Sequence, residues 1–309
     1  MRFMPLVLTL GAFLFLVTWP FRFPVDPGFW SHAMDACHLP LFLGLTLVFH
    51  HYLRGWNHRF WTPRVAAGAI AALLAAVTEW LQPLVGRDDS LQDFFNGFLG
   101  ITIAVTGLAA FKPGVSTRPR AVWTGLSLAA ILYVGWPAWQ EWRGIFLRER
   151  NFPILGDFEN PAELRVWYPQ GGTSNRPTQI AISSARATRG RHSLQVQLGS
   201  TDWPGVNFNA GVMNFSGYRR LAFDIHNPGA MFDLVLRVDD DGDCSRQDSR
   251  CLRGFQVTNG WNHLFVPVAE LERAPQSRRL NIRAIRRLVL FSEGQTVPRS
   301  FLLDNVRLE

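Results

Sequence analysis

Five apolar runs crowd into the first 144 residues of this 309-residue chain, and no run of that length follows them. They are Met4–Trp19, Leu39–Leu53, Val65–Leu81, Phe94–Phe111 and Ala121–Trp139, each of 15–19 residues. With flanking residues added, that length approaches the ~20 needed to cross a hydrocarbon core of ~30 Å. One such run would suit a buried core helix. Five in succession, joined by short polar loops, predict an all-α bundle of five transmembrane helices in a domain spanning 1–144, with the fifth helix at 121–139. The whole-chain averages conceal this. Mean hydropathy is +0.04 and 18% of residues are charged, as in a soluble protein. Yet 17 of the charged residues lie in 1–144 and 38 in 145–309.

The loops set an orientation. Arg54, Arg59 and Arg64 lie between the second and third runs, and Lys112, Arg118 and Arg120 between the fourth and fifth. The remaining two loops hold Arg22, Asp26 and Asp35, then Arg87, Asp88, Asp89 and Asp93. Basic loops stay in the cytoplasm. The chain is therefore expected in the cytoplasmic membrane, with the bilayer as its first partner, a cytoplasmic N-terminus and a C-terminal domain that is periplasmic or extracellular. The segment Thr18–Pro24 offers no small-x-small cleavage site, so the first run reads as a retained helix rather than a signal peptide.

Residues 145–309 carry no long helical pattern. Short β-rich runs recur between Gly, Pro, Asn and Asp: Leu164–Tyr168, Gln179–Ser183, Ser193–Leu198, Gly205–Asn209, Arg220–His226, Asp233–Val238, Gly254–Val257, Asn262–Val266, Arg286–Phe291 and Phe301–Leu308. Apolar and polar residues alternate in several, as at 221–225 and 234–238. Ten strands in this length predict an all-β antiparallel sandwich, a jelly roll, over 145–309. Gln140–Asn151 reads as a short charged junction. Three cysteines are too few for a disulfide scaffold. In an oxidising compartment, Cys244 and Cys251 are expected to pair with each other, while Cys37 lies in or beside a helix.

Polar groups inside apolar helices are costly, so each needs a reason. Asp35 and His38 open the second helix, Glu79 and Gln82 close the third, Arg87 and Asp93 sit in the following loop, and Asn96 opens the fourth. On the orientation above, all seven lie toward the external face. Glu79 and Gln82, three apart, share one helix face. Two readings stay open. One is a hydrogen-bonded network that pins helices together. The other is a site where Arg87 holds an anionic headgroup of a lipid-linked substrate and Glu79 or His38 transfers protons, with Asp93 the further catalytic candidate. Metal binding by His38 with Glu79 and Asp93 is a third reading, although no HxxxH-type spacing supports it.

The order Glu79-Trp-Leu-Gln82, Arg87, Ser90, Asp93, Asn96, Gly100, preceded by Asp35 and His38, resembles the VanZ-like family of small membrane proteins over residues 1–112. The acid-to-His and Asp-to-Asn spacings are one residue shorter here than the family's usual ones. The family's founding member is associated with resistance to a glycopeptide antibiotic. The resemblance implies cell-envelope or glycan biology and assigns no reaction.

The second half resembles the galactose-binding-like jelly rolls of carbohydrate-binding modules over 152–309. The phrases that carry the likeness are Asp157-Phe-Glu159, the Gly190–Gln197 stretch, Trp203-Pro-Gly-Val, Asn259-Gly-Trp-Asn-His and the closing Phe301–Leu308. In such modules the N-terminal acid and the C-terminal Leu-Asp-Asn often meet at a structural calcium, which implies Asp157, Glu159 and Asp304 as ligands. The run Asp239–Asp243 lacks a complete EF-hand spacing and reads as a solvated hairpin loop. Sugars present apolar C–H faces and polar edges, so a glycan site needs an aromatic platform beside acids, amides or guanidinium groups. Trp203 beside Asp202, Trp167 beside Tyr168, and Arg237 with Asp239 are the candidates. Trp261 is the weakest aromatic.

Several classes are set aside. The sequence has no nucleophile elbow, P-loop, Rossmann fingerprint or CxxC pair. Net charge is +7, with 30 of the 31 basic residues arginine. The sandwich half holds 21 Arg against 17 acids without a focused stripe, so nucleic acid is not an expected partner. The expectation is an envelope protein whose external sandwich binds a glycan, either an exopolysaccharide or a cell-wall polymer. The alternatives are a membrane enzyme of lipid-linked glycan metabolism using Glu79, His38 and Arg87, and a scaffold whose sandwich binds a protein.

Overall fold

A computed structural model describes residues 11, 26–55, 62–82, 91–171, 176–293 and 299–309. The first expected helix, at 4–19, lies outside the described residues apart from Gly11, and so do Arg87 and Ser90. The chain divides into two compact units, residues 1–139 and 140–309.

The first unit is helical: α1 (Pro27–Leu53), α2 (Pro63–Leu81), α3 (Leu91–Ala110) and α4 (Thr117–Asn151), whose last turns from Gln140 belong to the second unit. Proline opens both α1 and α2, where its missing N–H costs nothing. These four helices, those among the described residues, are all long and apolar enough to cross a membrane. Small residues bring them together. Ala67, Ala71 and Ala75 of α2 pack with Phe42, Leu45 and Phe49 of α1 and Ile101 of α3. At Gly100 a Cβ would lie 2.2 Å from the Leu39 carbonyl oxygen, so α1 and α3 meet backbone to backbone. The outer faces present Leu73, Trp80, Leu91, Phe95, Leu126 and Leu132, an apolar surface that suits lipid rather than water.

The second unit opens with the end of α4. Where a junction is expected, residues 140–151 are helical, with Arg148 buried and donating to the Asn209 carbonyl at 3.2 Å. Among the described residues eleven strands follow: β1 (Ile154–Gly156), β2 (Trp167–Gln170), β3 (Gln179–Ser183), β4 (Ser193–Leu198), β5 (Gly205–Met213), β6 (Arg220–Asn227), β7 (Phe232–Asp240), β8 (Cys251–Val257), β9 (Gly260–Pro267), β10 (Ile285–Phe291) and β11 (Arg299–Leu308). A short helix, α5 (Val268–Arg273), separates β9 from β10. One antiparallel sheet runs β3-β4-β11-β6-β9, with β1 also pairing with β11, and the other runs β2-β5-β10-β7-β8. Their inner faces share one core that includes Trp167, Leu194, Phe208, Phe223, Leu234 and Phe301.

Two expectations are corrected here. The strand expected from Leu164 begins only at Trp167, because Pro161–Arg165 forms a 3₁₀ turn. Asn160 caps that turn through the Ala162 N–H, and the Glu163 carboxylate reaches back to the Asn160 N–H. Cys244 and Cys251, expected to be bonded, are separate thiols. Cys251 lies opposite Val238 and points into the core, whereas the Cys244 sulfur sits 3.2 Å from an Arg278 guanidinium nitrogen and 3.5 Å from Asp240.

Candidate functional site

Side chains alternate across a strand, so the core residues of the five-stranded sheet fix what its outer face carries. Trp167, Phe208, Leu288, Val238 and Cys251 are all buried in the core. Their neighbours Tyr168, Asn207, Val289, Arg237 and Leu252 therefore form one outward row across β2, β5, β10, β7 and β8, each opposite the next. Asn209, Arg287 and Asp239 form the adjacent row.

Three of the six expected glycan-binding residues, Tyr168, Arg237 and Asp239, thus share one face. Tyr168 is 40% exposed. Partial burial raises its phenol above the ordinary value, against the pull of the nearby Arg287 charge. Asp239 is bound by two arginines: Arg237 Nε donates at 2.7 Å, and Arg287 donates through Nε at 2.9 Å and Nη2 at 2.5 Å. Planar donors held by one carboxylate make a rigid polar edge. Trp167 is corrected: it lies in the core, its ring tilted against Phe208 with centroids 4.8 Å apart, and its Nε1 donates to the Leu155 carbonyl. Asp202 and Trp203 are exposed in the loop entering β5, and Trp203 shows 56% of its surface. That loop ends at Gly205, opposite Gln170 and Phe291.

Sequence reasoning missed Asn207, Gln170 and Arg287. Asn207 faces outward yet is only 3% exposed. Its Nδ2 donates to Gln170 Oε1 at 2.6 Å, and its Oδ1 is buried with no partner among the described residues. The polar-apolar alternation Val206-Asn-Phe-Asn209 carried the signal.

The acidic run divides: Asp241–Asp243 is exposed in the turn between β7 and β8, as expected of a solvated hairpin, whereas Asp239 and Asp240 end β7 and are buried. Asp240 is buried, and Arg278 clamps it with two hydrogen bonds of 2.6 and 2.7 Å. Burial alone would raise this carboxyl. The Arg278 bonds, with N–H donors from Asn281 and Gly242, more than reverse that and hold it at about 2. The clamp rims the outer face, since Arg237 Nη2 donates to the Cys244 carbonyl in the same loop at 3.3 Å.

Of the three acids expected at calcium, Glu159 and Asp304 both face the 188–192 loop. Glu159 accepts from the Arg191 and His192 N–H groups. Asp304 Oδ2 accepts from the Thr188 and Arg189 N–H groups and the Thr188 hydroxyl, and its Oδ1 from the Asn305 N–H. Asp157 lies beside Glu163, whose carboxyl is pushed up to about 7 by burial first and the Asp157 charge second.

In the helical unit the expected polar residues do meet. One ligand atom each from His38 of α1, Glu79 of α2 and Asp93 of α3 lies within 4.8 Å of the other two. His38 Nδ1 donates to the Met34 carbonyl at 3.1 Å and is 3.5 Å from Asp93 Oδ1. Gln82 is fully buried, one turn beyond Glu79. Asn96 instead ties α3 to α1 by donating to the Asp35 carbonyl at 2.9 Å, while the Asp35 carboxylate lies 3.8 Å from His32. A cavity of about 610 Å³ opens beside them, lined by Asp35, Gln92 and Asn96 and by Tyr133 and Trp136 of α4.

No family model matches the chain, and no curated protein does. Solved structures similar to it align with about half of its length. One is a family 11 carbohydrate-binding module from Clostridium thermocellum in complex with a β-1,3-1,4-mixed-linked tetrasaccharide; it is 18% identical with a TM-score of 0.40, over 50% of this chain and 93% of that one. A family 30 carbohydrate-binding module of a Clostridium thermocellum cellulosomal cellulase is 15% identical with a TM-score of 0.37, over 47% and 91%. An exo-β-agarase is 15% identical with a TM-score of 0.41, over 50% of this chain and 24% of its own.

Proposed function

We propose that this chain is a cell-envelope protein whose jelly-roll sandwich binds a glycan on the outer face of the five-stranded sheet. The helices, together with the first apolar run, hold it in the cytoplasmic membrane as a VanZ-like domain of 1–144. The basic loops support an external position for 145–309. Tyr168 offers a ring face to sugar C–H groups. The Arg237–Asp239–Arg287 edge sets donors and an acceptor side by side, as vicinal hydroxyls require. The observation that carries the reading is Asn207: its buried amide oxygen, on a sheet's outer face, has no partner among the described residues, and such an oxygen is costly unless a donor comes to it. Arg237 extends the same row beyond the buried Val289, so the ligand would lie across the strands.

The test is binding of envelope polysaccharides to the full chain in detergent micelles, read on a glycan array and by calorimetry. Tyr168→Ala and Asn207→Ala should each weaken binding about tenfold or more, as losses at a central stacked or buried contact do. A folded wild-type chain that binds none of them overturns the reading. A reporter fused after Glu309 that is active only in the cytoplasm overturns the orientation.

A second reading has its own support. The cavity beside Asp35 and Asn96 joins amides and a carboxylate to two aromatic rings at the end of an apolar bundle. That chemistry suits the headgroup of a lipid-linked glycan, with His38 and Glu79 as proton-transfer groups. Turnover of such a substrate by the wild-type chain, lost in Glu79→Gln at unchanged abundance, would establish it.

A further inference from the structure

We propose that His38, Glu79 and Asp93 bind one divalent transition-metal ion between α1, α2 and α3, in a site independent of the glycan-binding face. Three helices contribute one ligand each, and the ligand atoms already lie within 4.8 Å of one another. Bonds of ~2.0–2.2 Å to a tetrahedral ion put ligand atoms about 3.3–3.6 Å apart. Rotamer adjustments of roughly 1 Å therefore close the site, and the backbone can stay where Gly100 and Leu39 lock it. His38 and Asp93 are both buried.

The imidazole is set as metal-bound histidines are. Its Nδ1–H donates to the Met34 carbonyl at 3.1 Å, which orients the ring and leaves the lone pair on Nε2. A neutral imidazole, two carboxylates and a divalent ion sum to zero charge, which suits an apolar bundle.

Gln82 supplies a separate indication. It is fully buried on the Glu79 face of α2, one turn on, and neither its amide oxygen nor its amide nitrogen has a partner among the described residues. A buried amide lacking both partners is expensive. A fourth ligand position, filled by the amide oxygen or by a metal-bound water that it holds, would satisfy it. Nitrogen with carboxylate donors selects zinc, cobalt, manganese or ferrous iron. Calcium and magnesium want six or more oxygens.

The experiment titrates the untagged full chain, in detergent and stripped of metal by chelator, with Zn(II) and with Co(II). Cys37→Ser, Cys244→Ser and Cys251→Ser are included to remove competing thiols. One equivalent per chain is expected, with Co(II) bands of a site of low coordination number. His38→Gln and Asp93→Asn should abolish both while the helical circular dichroism stays unchanged. An absence of stoichiometric binding by the wild-type chain overturns the proposal, as does an aqua-like Co(II) spectrum. Full stoichiometry in Glu79→Gln/Asp93→Asn also overturns it. Because the wild-type titration decides by itself, a variant that fails to fold leaves the test intact. Glycan binding should be the same with and without metal, so each reading fails separately.

Discussion

Removing the Asp240 carboxylate tests how the rim of the outer face is held. In the folded chain this group stands at about 2 instead of the ordinary 3.8. At ~1.4 kcal/mol per pKa unit, that difference amounts to about 2 kcal/mol of stability. A depressed carboxyl stabilises the fold above its unfolded value, and the contribution fades as pH falls from about 4 toward 2. Asp240→Asn keeps one acceptor but loses the charge opposite Arg278, which is itself partly exposed and screened. The expected cost at pH 7 is about 2–3 kcal/mol. Residues 140–309 have their own closed core, so urea unfolding of that segment, followed by circular dichroism, measures it. Every other carboxylate titrates in both proteins, so the gap between wild type and variant isolates Asp240. It should shrink by about 2 kcal/mol between pH 6 and pH 2. A gap that persists undiminished at pH 2 would refute the charge argument and leave only shape.

Glu163 has the opposite sign. Its carboxyl is raised to about 7, so its contribution is complete below the unfolded value of 4.5 and is lost as pH rises through 7. Glu163→Gln should flatten the fall in stability between pH 5 and 8, worth about 3 kcal/mol at most; an unchanged slope in urea unfolding would refute it. Gly100→Ala places a methyl against the Leu39 carbonyl and should cost about 1–3 kcal/mol, lowering the Tm of the full chain in detergent. At Gly135 nothing lies within 4 Å of an added Cβ, so Gly135→Ala should not lower the Tm, and equal losses at the two sites would contradict the packing account. Trp167→Ala should unfold the sandwich at a cost of about 3–5 kcal/mol, whereas Tyr168→Ala should leave the urea midpoint of 140–309 nearly unchanged.

Local patterns exposed most of the strands, because alternation and turn residues are properties of neighbouring positions. Ten runs were expected, and each overlaps an observed strand. Ile154–Gly156 escaped because three residues cannot show a period. The choice between Trp167 and Tyr168 went astray for a related reason. An aromatic pair tells that one ring is in and one is out, but parity is decided by the Phe208 partner forty residues away. Asp240 misled in the same fashion: its run of acids looks solvated until Arg278, thirty-eight positions on, is placed beside it. The meeting of His38, Glu79 and Asp93 was legible because polar residues in apolar helices stand out one by one. Gln82 stands out with them in the sequence, but that its amide has no partner among the described residues is visible only in three dimensions.

The placement of β11 has a consequence for synthesis. This strand lies between β4 and β6 and also pairs with β1, so residues 299–308 complete a sheet whose first member is residue 154. While the ribosome is still making residue 290, β4 and β6 have bare edges open to any passing strand. The sandwich must therefore wait, unfolded, until nearly its whole length has emerged. A stalled or clipped product lacking the last dozen residues would be sticky rather than merely weakened. If the unit is delivered across a membrane, that delay keeps it threadable.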